Sequence, residues 1–192
     1  MSQGRHAPTA LTPQPARTQL TPRAAEIVQA ARELLEEQGP EALTMRALGE
    51  RLGMRAPSIY KHLKGKEAVE AALIEQGLAE MGAALYAALD GAGDPVEAVL
   101  RAYRRMALAH PNLYRLSTGG PLNRAALPEG LEEWAGTPFF LACGEPQLAQ
   151  ALWSFAHGMV ILELDGRFPD SSALDLTWRE GARAFLAART AP

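Results

Sequence analysis

An all-α fold is predicted by three features of the 192-residue chain. Apolar residues recur three and four positions apart through several long segments, no segment alternates apolar with polar residues, and glycine or proline stands at the ends of the periodic stretches. Taken in order, residues 1–21 are rich in Pro, Thr, Gln and Ala without periodicity, so a disordered tail is expected there. Thr21-Pro22 then supplies a capping residue and a proline suited to the first helical position. Ile27, Ala30, Ala31, Leu34 and Leu35 form one apolar face, and Gly39-Pro40 ends it. A second, short helix is capped by Thr44 and stopped at Gly53, where a sharp turn needs positive φ. A third runs from about Ala56 to Leu63, with Pro57 tolerated in its first turn. A long fourth helix starts near Lys66 and carries Ile74, Leu78, Met81, Leu85 and Leu89. Beyond Gly91-Ala92-Gly93, Asp94-Pro95 opens a helix to His110-Pro111, and a shorter one covers Asn112–Leu116. Residues 117–130 read as a loop, Leu131–Cys143 as a helix interrupted near Gly136-Thr137-Pro138, Pro146 to Asp165 as a strong helix, and Ser171-Ser172 to Ala188 as the last, about nine in all.

The net charge of −3 conceals an asymmetry. Residues 1–66 hold ten Lys or Arg and six Asp or Glu, whereas residues 67–192 hold nine and sixteen. All three lysines, Lys61, Lys64 and Lys66, fall within six residues. A small basic region on a larger acidic one points to an anion-binding head on a body with another task. Two short helices joined by a tight glycine turn and resting on an amphipathic helix make a helix-turn-helix, whose second helix enters the DNA major groove. Phosphates attract Lys and Arg and accept hydrogen bonds from hydroxyls and helix N-termini.

The segment ALTMRALGERLGMRAPSIYKHLKGKEAV, Ala42 to Val69, resembles the DNA-binding domain of the TetR family of transcriptional regulators. The matching features are Thr44, Leu48, Gly53, the Ser58-Ile59-Tyr60-x-His62 core and the Lys66-Glu67 start of the fourth helix, and the likeness covers about residues 22–70. The resemblance implies that Thr44 and Lys66 bind phosphates and that Ser58, Tyr60 and His62 face DNA. Lys61 matches a variable position. Arg55 replaces a usual small capping residue, and Leu63 replaces a usual Phe. Arg46 and Arg55 are candidates for base edges, since Arg against guanine is the commonest specific contact. With Ala56, Pro57 and Lys64 these residues complete the candidate DNA-binding set. The implied architecture is a helix-turn-helix domain at 22–66 and an effector-binding and dimerisation domain at 67–190. The implied partners are a double-stranded DNA operator, a second copy of the chain and an unidentified small-molecule effector.

The body carries the matching signals. The helix at 146–165 has two apolar stripes: Leu148, Leu152, Phe155, Met159 and Leu162 on one, Trp153, His157, Val160 and Leu164 on the other. A helix apolar on two sides is covered on two sides. With Leu174, Trp178, Ala182 and Phe185 of the last helix, Leu152, Phe155, Met159 and Leu162 are the dimer-interface candidates. Tyr103, His110, Tyr114, Trp134, Phe139, Phe140, Trp153 and His157 are the ligand-pocket candidates. Trp153, His157 and Gly158, with Glu163 and Gly166-Arg167-Phe168, also resemble a recurring C-terminal domain of the same family named for its Trp-His-Gly motif, over about residues 93–188.

Other function classes find little in the sequence. No apolar run reaches the ~18–20 residues of a membrane span, and MSQGRHAPTALTPQPARTQLTP lacks a secretory apolar core. One cysteine, Cys143, forms no internal disulfide, which fits the cytoplasm. His6, His62, His110 and His157 share no metal-ligand spacing, so no metal or cofactor is expected. His157, Glu163 and Asp165 are the only titratable cluster for an enzyme, and no nucleophile–base pair accompanies them. A DNA-binding dimer answering to a protein partner or a redox event is the remaining alternative.

Overall fold

A computed structural model of the chain describes residues 13–190. Among them are nine α-helices and no strand: α1 (Pro22–Gln38), α2 (Met45–Leu52), α3 (Ala56–Ile59), α4 (Lys66–Leu89), α5 (Pro95–Ala109), α6 (Pro111–Thr118), α7 (Leu131–Cys143), α8 (Pro146–Leu164) and α9 (Leu174–Thr190). The helix starts follow from capping chemistry. The Thr21 hydroxyl accepts the Ala24 amide at 3.2 Å, Thr44 accepts that of Ala47 at 3.1 Å, and Asp94 accepts that of Val96 at 2.8 Å. Gly53 ends α2 at φ 63°, a left-handed conformation that favours glycine.

Two cores result. In the first, Ile27, Val28, Leu34 and Leu35 of α1 meet Leu48 of α2, Ile59, Leu63 and the first turns of α4 at Val69 and Leu73. Leu113 of α6 joins them. In the second, α5, α7, α8 and α9 pack around Val99, Tyr103, Phe139, Leu152 and Trp178. The continuous helix α4 belongs to both. It approaches its neighbours closely where it is small: a Cβ at Gly82 would stand 2.3 Å from the Trp134 ring, and one at Gly77 would collide with the Ser117 hydroxyl.

Three local expectations change. The third helix ends at Ile59 rather than Leu63; the His62 and Leu63 amides donate to the Ile59 carbonyl at 2.9 and 3.0 Å, and turns carry the chain to Gly65. α7 is unbroken although Pro138 lies inside it. The missing amide costs one hydrogen bond, and Trp134, Pro138 and Phe139, all buried, hold the helix on both sides of it. α6 extends through Ser117 and Thr118, which were expected in the following loop. The disordered tail expected at 1–21 lies outside the described residues as far as position 12. Residues 13–21 form neither helix nor strand, and there the Thr18 amide donates to the buried Glu75 carboxylate at 2.9 Å, with Arg17 at 3.5 Å.

Three helices of the body are fastened at one point. Arg104 of α5 donates to both Glu163 oxygens, at 2.7 and 3.0 Å, and its guanidinium lies 5.6 Å from the centre of the Trp178 ring. Trp178 donates its indole N–H to the same carboxylate at 3.2 Å. Glu163 is only 13% exposed, and these bonds give its carboxylate the partners that burial requires.

Candidate nucleic-acid interface and cavity

The turns after α3 sort side chains by burial. Ile59 and Leu63 point into the core and thereby leave Tyr60, Lys61 and His62 outside; Tyr60 is 52% exposed although it is a large aromatic. Thr44, Arg46, Arg55, Pro57 and Lys64 are exposed as well, while Ser58 and Lys66 are half-buried. Ala56 opens α3. Thr44 accepts a backbone amide, so its own O–H is left to donate outward. α4 begins at Lys66 with no side chain capping its first turn, which leaves helix N–H groups facing outward beside a lysine. These are the donors and charges a phosphate backbone binds.

The cations differ in what they are free to do. Arg51 is held by Glu37 at 2.6 Å and by Glu33 at 3.5 Å, which ties α2 to α1. Arg46 sits on Glu50 at 2.9 Å, a hydrogen bond that raises its pKa, and Lys66 is 3.4 Å from Glu70. The first pair is exposed and the second half-exposed, and pairs so open to solvent are weak enough to exchange for a phosphate. Among the described residues Lys61 and Lys64 have no ion-pair partner.

A cavity of ≈ 490 Å³ lies between α4, α5, α6, α7 and α8, within the range of ligand-sized pockets. Of the pocket candidates, Tyr103, His110, Tyr114, Phe139 and Trp153 line it. Trp134 instead packs against Tyr86, with ring centroids 5.1 Å apart, and Phe140 is exposed. His157 stands behind the wall: its Nδ1 is 2.7 Å from the Tyr114 hydroxyl, which is 3.0 Å from that of Tyr103. Burial pushes the Tyr103 phenol up to about 12 and that of Tyr114 well above its ordinary value, so both remain neutral. Ser117 and Met81 also line the cavity; neither was a pocket candidate from sequence.

Burial lowers the His157 pKa below its ordinary 6.5, which gives a sign for stability. The unfolded chain takes up a proton near 6.5 while the folded chain resists it, so stability is full above that pH and falls as pH drops through it. Denaturant midpoints should therefore fall between pH 7 and pH 5, and His157→Asn should flatten that dependence; an unaltered slope would remove His157 as its source.

The interface candidates divide. Leu152, Met159, Trp178 and Ala182 lie inside the protomer's own core, with Leu152 fully buried and Trp178 6% exposed, so they present nothing to a second chain. Phe155 packs edge-on to Trp178 at 5.8 Å and against Phe185 at 5.7 Å, and Leu174 flanks the same core. The stripe through Leu152 and Met159 is covered by α5 and α7, and α9 covers Phe155. Leu162 remains 41% exposed, and Trp153 on α8 and Leu176 on α9, which sequence did not assign to an interface, are exposed as well. Glu163 is engaged by Arg104 and Trp178 rather than His157. Among the described residues no three His, Cys, Asp or Glu side chains are grouped to hold a metal ion, and no helix is long and apolar enough to cross a membrane.

Comparison with known proteins agrees with this architecture. A family model described as bacterial regulatory proteins, tetR family, matches residues 27–73, and one described as the tetracyclin repressor-like C-terminal domain matches residues 96–185. The chain is similar to the uncharacterized HTH-type transcriptional regulator Rv0681 of Mycobacterium tuberculosis, with 32% identity over 75% of this chain and 71% of the relative. It is 46% identical to the class A tetracycline repressor from transposon 1721 of Escherichia coli, over 28% of this chain and 25% of that protein. Among solved structures, that of SCO4313 superposes with a TM-score of 0.72 at 25% identity, covering 86% of this chain and 95% of that one. A TetR variant from Acinetobacter baumannii AYE in complex with minocycline superposes with a TM-score of 0.61 at 25% identity, covering 87% and 98%. With a helix-turn-helix head, a larger helical body and relatives over most of its length that are transcriptional regulators, the chain belongs to the TetR family of DNA-binding transcriptional regulators.

Proposed function

We propose that the protein is a cytoplasmic repressor that binds a palindromic operator as a homodimer and releases it when a small molecule fills the cavity. The observation that carries the reading is the placement of α6. Its residues Leu113, Tyr114, Leu116, Ser117 and Thr118 line the cavity, while its first amides reach the head: the Asn112 and Leu113 N–H groups donate to the Glu36 carboxylate of α1 at 3.3 and 3.0 Å. The Asn112 side chain adds a bond to the Glu36 carbonyl at 3.1 Å. A ligand that displaces α6 therefore displaces α1, and a coupling of ~1–3 kcal/mol changes DNA affinity roughly 5–150-fold. The likeness to a structure holding minocycline supports the same use of the body. Within the family we read the C-terminal domain as the Trp-His-Gly type, on Trp153, His157 and Gly158. Thr44, Arg46, Arg55, Ser58, Tyr60, Lys61, His62, Lys64 and Lys66 are the DNA contacts of this reading, and two heads reach successive major grooves about 34–36 Å apart. A redox input is less well supported, because Cys143 is buried and burial raises its pKa away from the reactive thiolate.

The test is anisotropy titration of the full chain against DNA flanking its own gene, at two salt concentrations and beside a scrambled duplex. Saturable, salt-sensitive preference for one fragment is expected; equal binding to both would remove the operator assignment from that DNA. For the dimer, Leu162→Arg places a charge on an exposed apolar position and should yield monomers by sedimentation with helicity unchanged. A persistent dimer would move the interface away from Leu162.

A further inference from the structure

We infer that the cavity takes an uncharged, largely apolar molecule bearing one hydroxyl or carbonyl group, and that Ser117 supplies the hydrogen bond to it. The inference rests on the proposed use of the cavity as the effector site and specifies what fits there.

The wall is mostly hydrocarbon and aromatic: Leu78, Met81, Leu85, Met106, Leu113 and Phe139 are representative. The charges that border it are already matched. Glu80 is held by Arg32, one bond measuring 2.7 Å, and Arg124 by Glu132 at 2.7 Å. Neither pair leaves a counter-charge for a ligand, and an ion brought into an apolar enclosure without a partner is expelled or neutralised. His110 is the remaining ionisable side chain of the wall apart from the phenols; it is half-buried, so it stays in contact with water. The Tyr103 and Tyr114 hydroxyls are joined to each other and to His157. They already have neutral partners.

Ser117 differs from the other hydroxyls. Its neighbour Thr118 donates to the Tyr114 carbonyl at 2.8 Å, as a helical hydroxyl commonly does, but the Ser117 oxygen is buried with no hydrogen-bond partner. It lies against α4 at Gly77, where the absence of a side chain leaves it room. A buried hydroxyl without a partner is unfavourable. A turn about χ1 to another staggered position carries it toward the cavity that the same residue lines. A single ligand oxygen then satisfies the group and loosens the contact between α6 and α4 at Gly77.

Three probes on one ring framework separate the possibilities: anthracenemethanol, anthracenecarboxylate and aminomethylanthracene, with anthracene itself as the unsubstituted reference. Each is titrated at pH 7 with the full chain and with Ser117→Ala, following probe anisotropy. The alcohol is expected to bind at least about tenfold more tightly than either ion. Ser117→Ala should weaken the alcohol about fivefold, the loss of one neutral hydrogen bond, and leave anthracene unchanged. Unchanged anthracene binding also shows that the variant's cavity is intact. Tighter binding of the carboxylate or the ammonium overturns the inference but leaves the cavity as a ligand site. An alcohol affinity insensitive to Ser117→Ala removes the role of Ser117. Absence of saturable binding by all four overturns the effector reading and this inference together.

Discussion

Ile59→Ala is expected to abolish DNA binding at physiological temperature while leaving the body folded. Ile59 is fully buried at the end of α3, and its carbonyl anchors the turn that presents Tyr60 to Lys64. Removing its side chain leaves a cavity and costs about 2–5 kcal/mol, a large share of the ~5–15 kcal/mol that stabilises a typical domain. The loss falls on the head, because Ile59 shares no core with α5, α7, α8 or α9. The three tryptophans, Trp134, Trp153 and Trp178, all lie in the body. Tryptophan emission therefore reports the body alone, and far-ultraviolet circular dichroism reports both parts. In the variant the dichroism should begin to fall at lower denaturant than the emission changes. Coincident transitions with an unchanged midpoint would show that Ile59 contributes little, against its burial.

The second large effect concerns charge. Replacing Lys61, Lys64 and Lys66 with glutamine should lower operator affinity on the order of a hundredfold and make binding less sensitive to salt. Each lysine that touches a phosphate contributes close to one unit to the slope of log affinity against log salt. The full variant should thus reduce the slope by about three for each bound head. A reduction of about one would mean that two of the three are merely solvated. Stability should hardly change, because all three side chains are exposed or half-exposed. That separates this variant from Ile59→Ala, where binding is lost through unfolding.

Local chemistry made the head legible in sequence. Thr44, Gly53 and the α1 stripe from Ile27 to Leu35 act within one or two turns of themselves, and the structure uses each as its residue type suggests. The length of α3 was less legible, because a helical turn and a tight turn hung from the same Ile59 carbonyl look alike in composition. Pro138 misled for a related reason: a proline's local cost is visible, but the packing of its neighbours against two other helices is not. Periodicity showed that α8 is apolar on two faces without showing which neighbour covers which. Hence Trp178 and Leu152 were expected at a surface and lie inside. The link from Glu36 to α6 joins residues 76 and 77 positions apart, and no local signal marks it. Ser117 was hidden in the same way, since its meaning depends on Gly77 facing it across two helices.

The docking of Thr18 and Arg17 on Glu75 bears on how the molecule is handled. A version trimmed to begin at the first helical cap, Thr21, would look complete by every criterion of secondary structure. It would nevertheless strip both partners from a carboxylate that is 4% exposed on the helix shared by head and body. Such trimming would leave a buried carboxylate without those partners in α4's middle turn, so stabilities and DNA affinities measured on shortened and full-length protein would differ for reasons unrelated to DNA contacts.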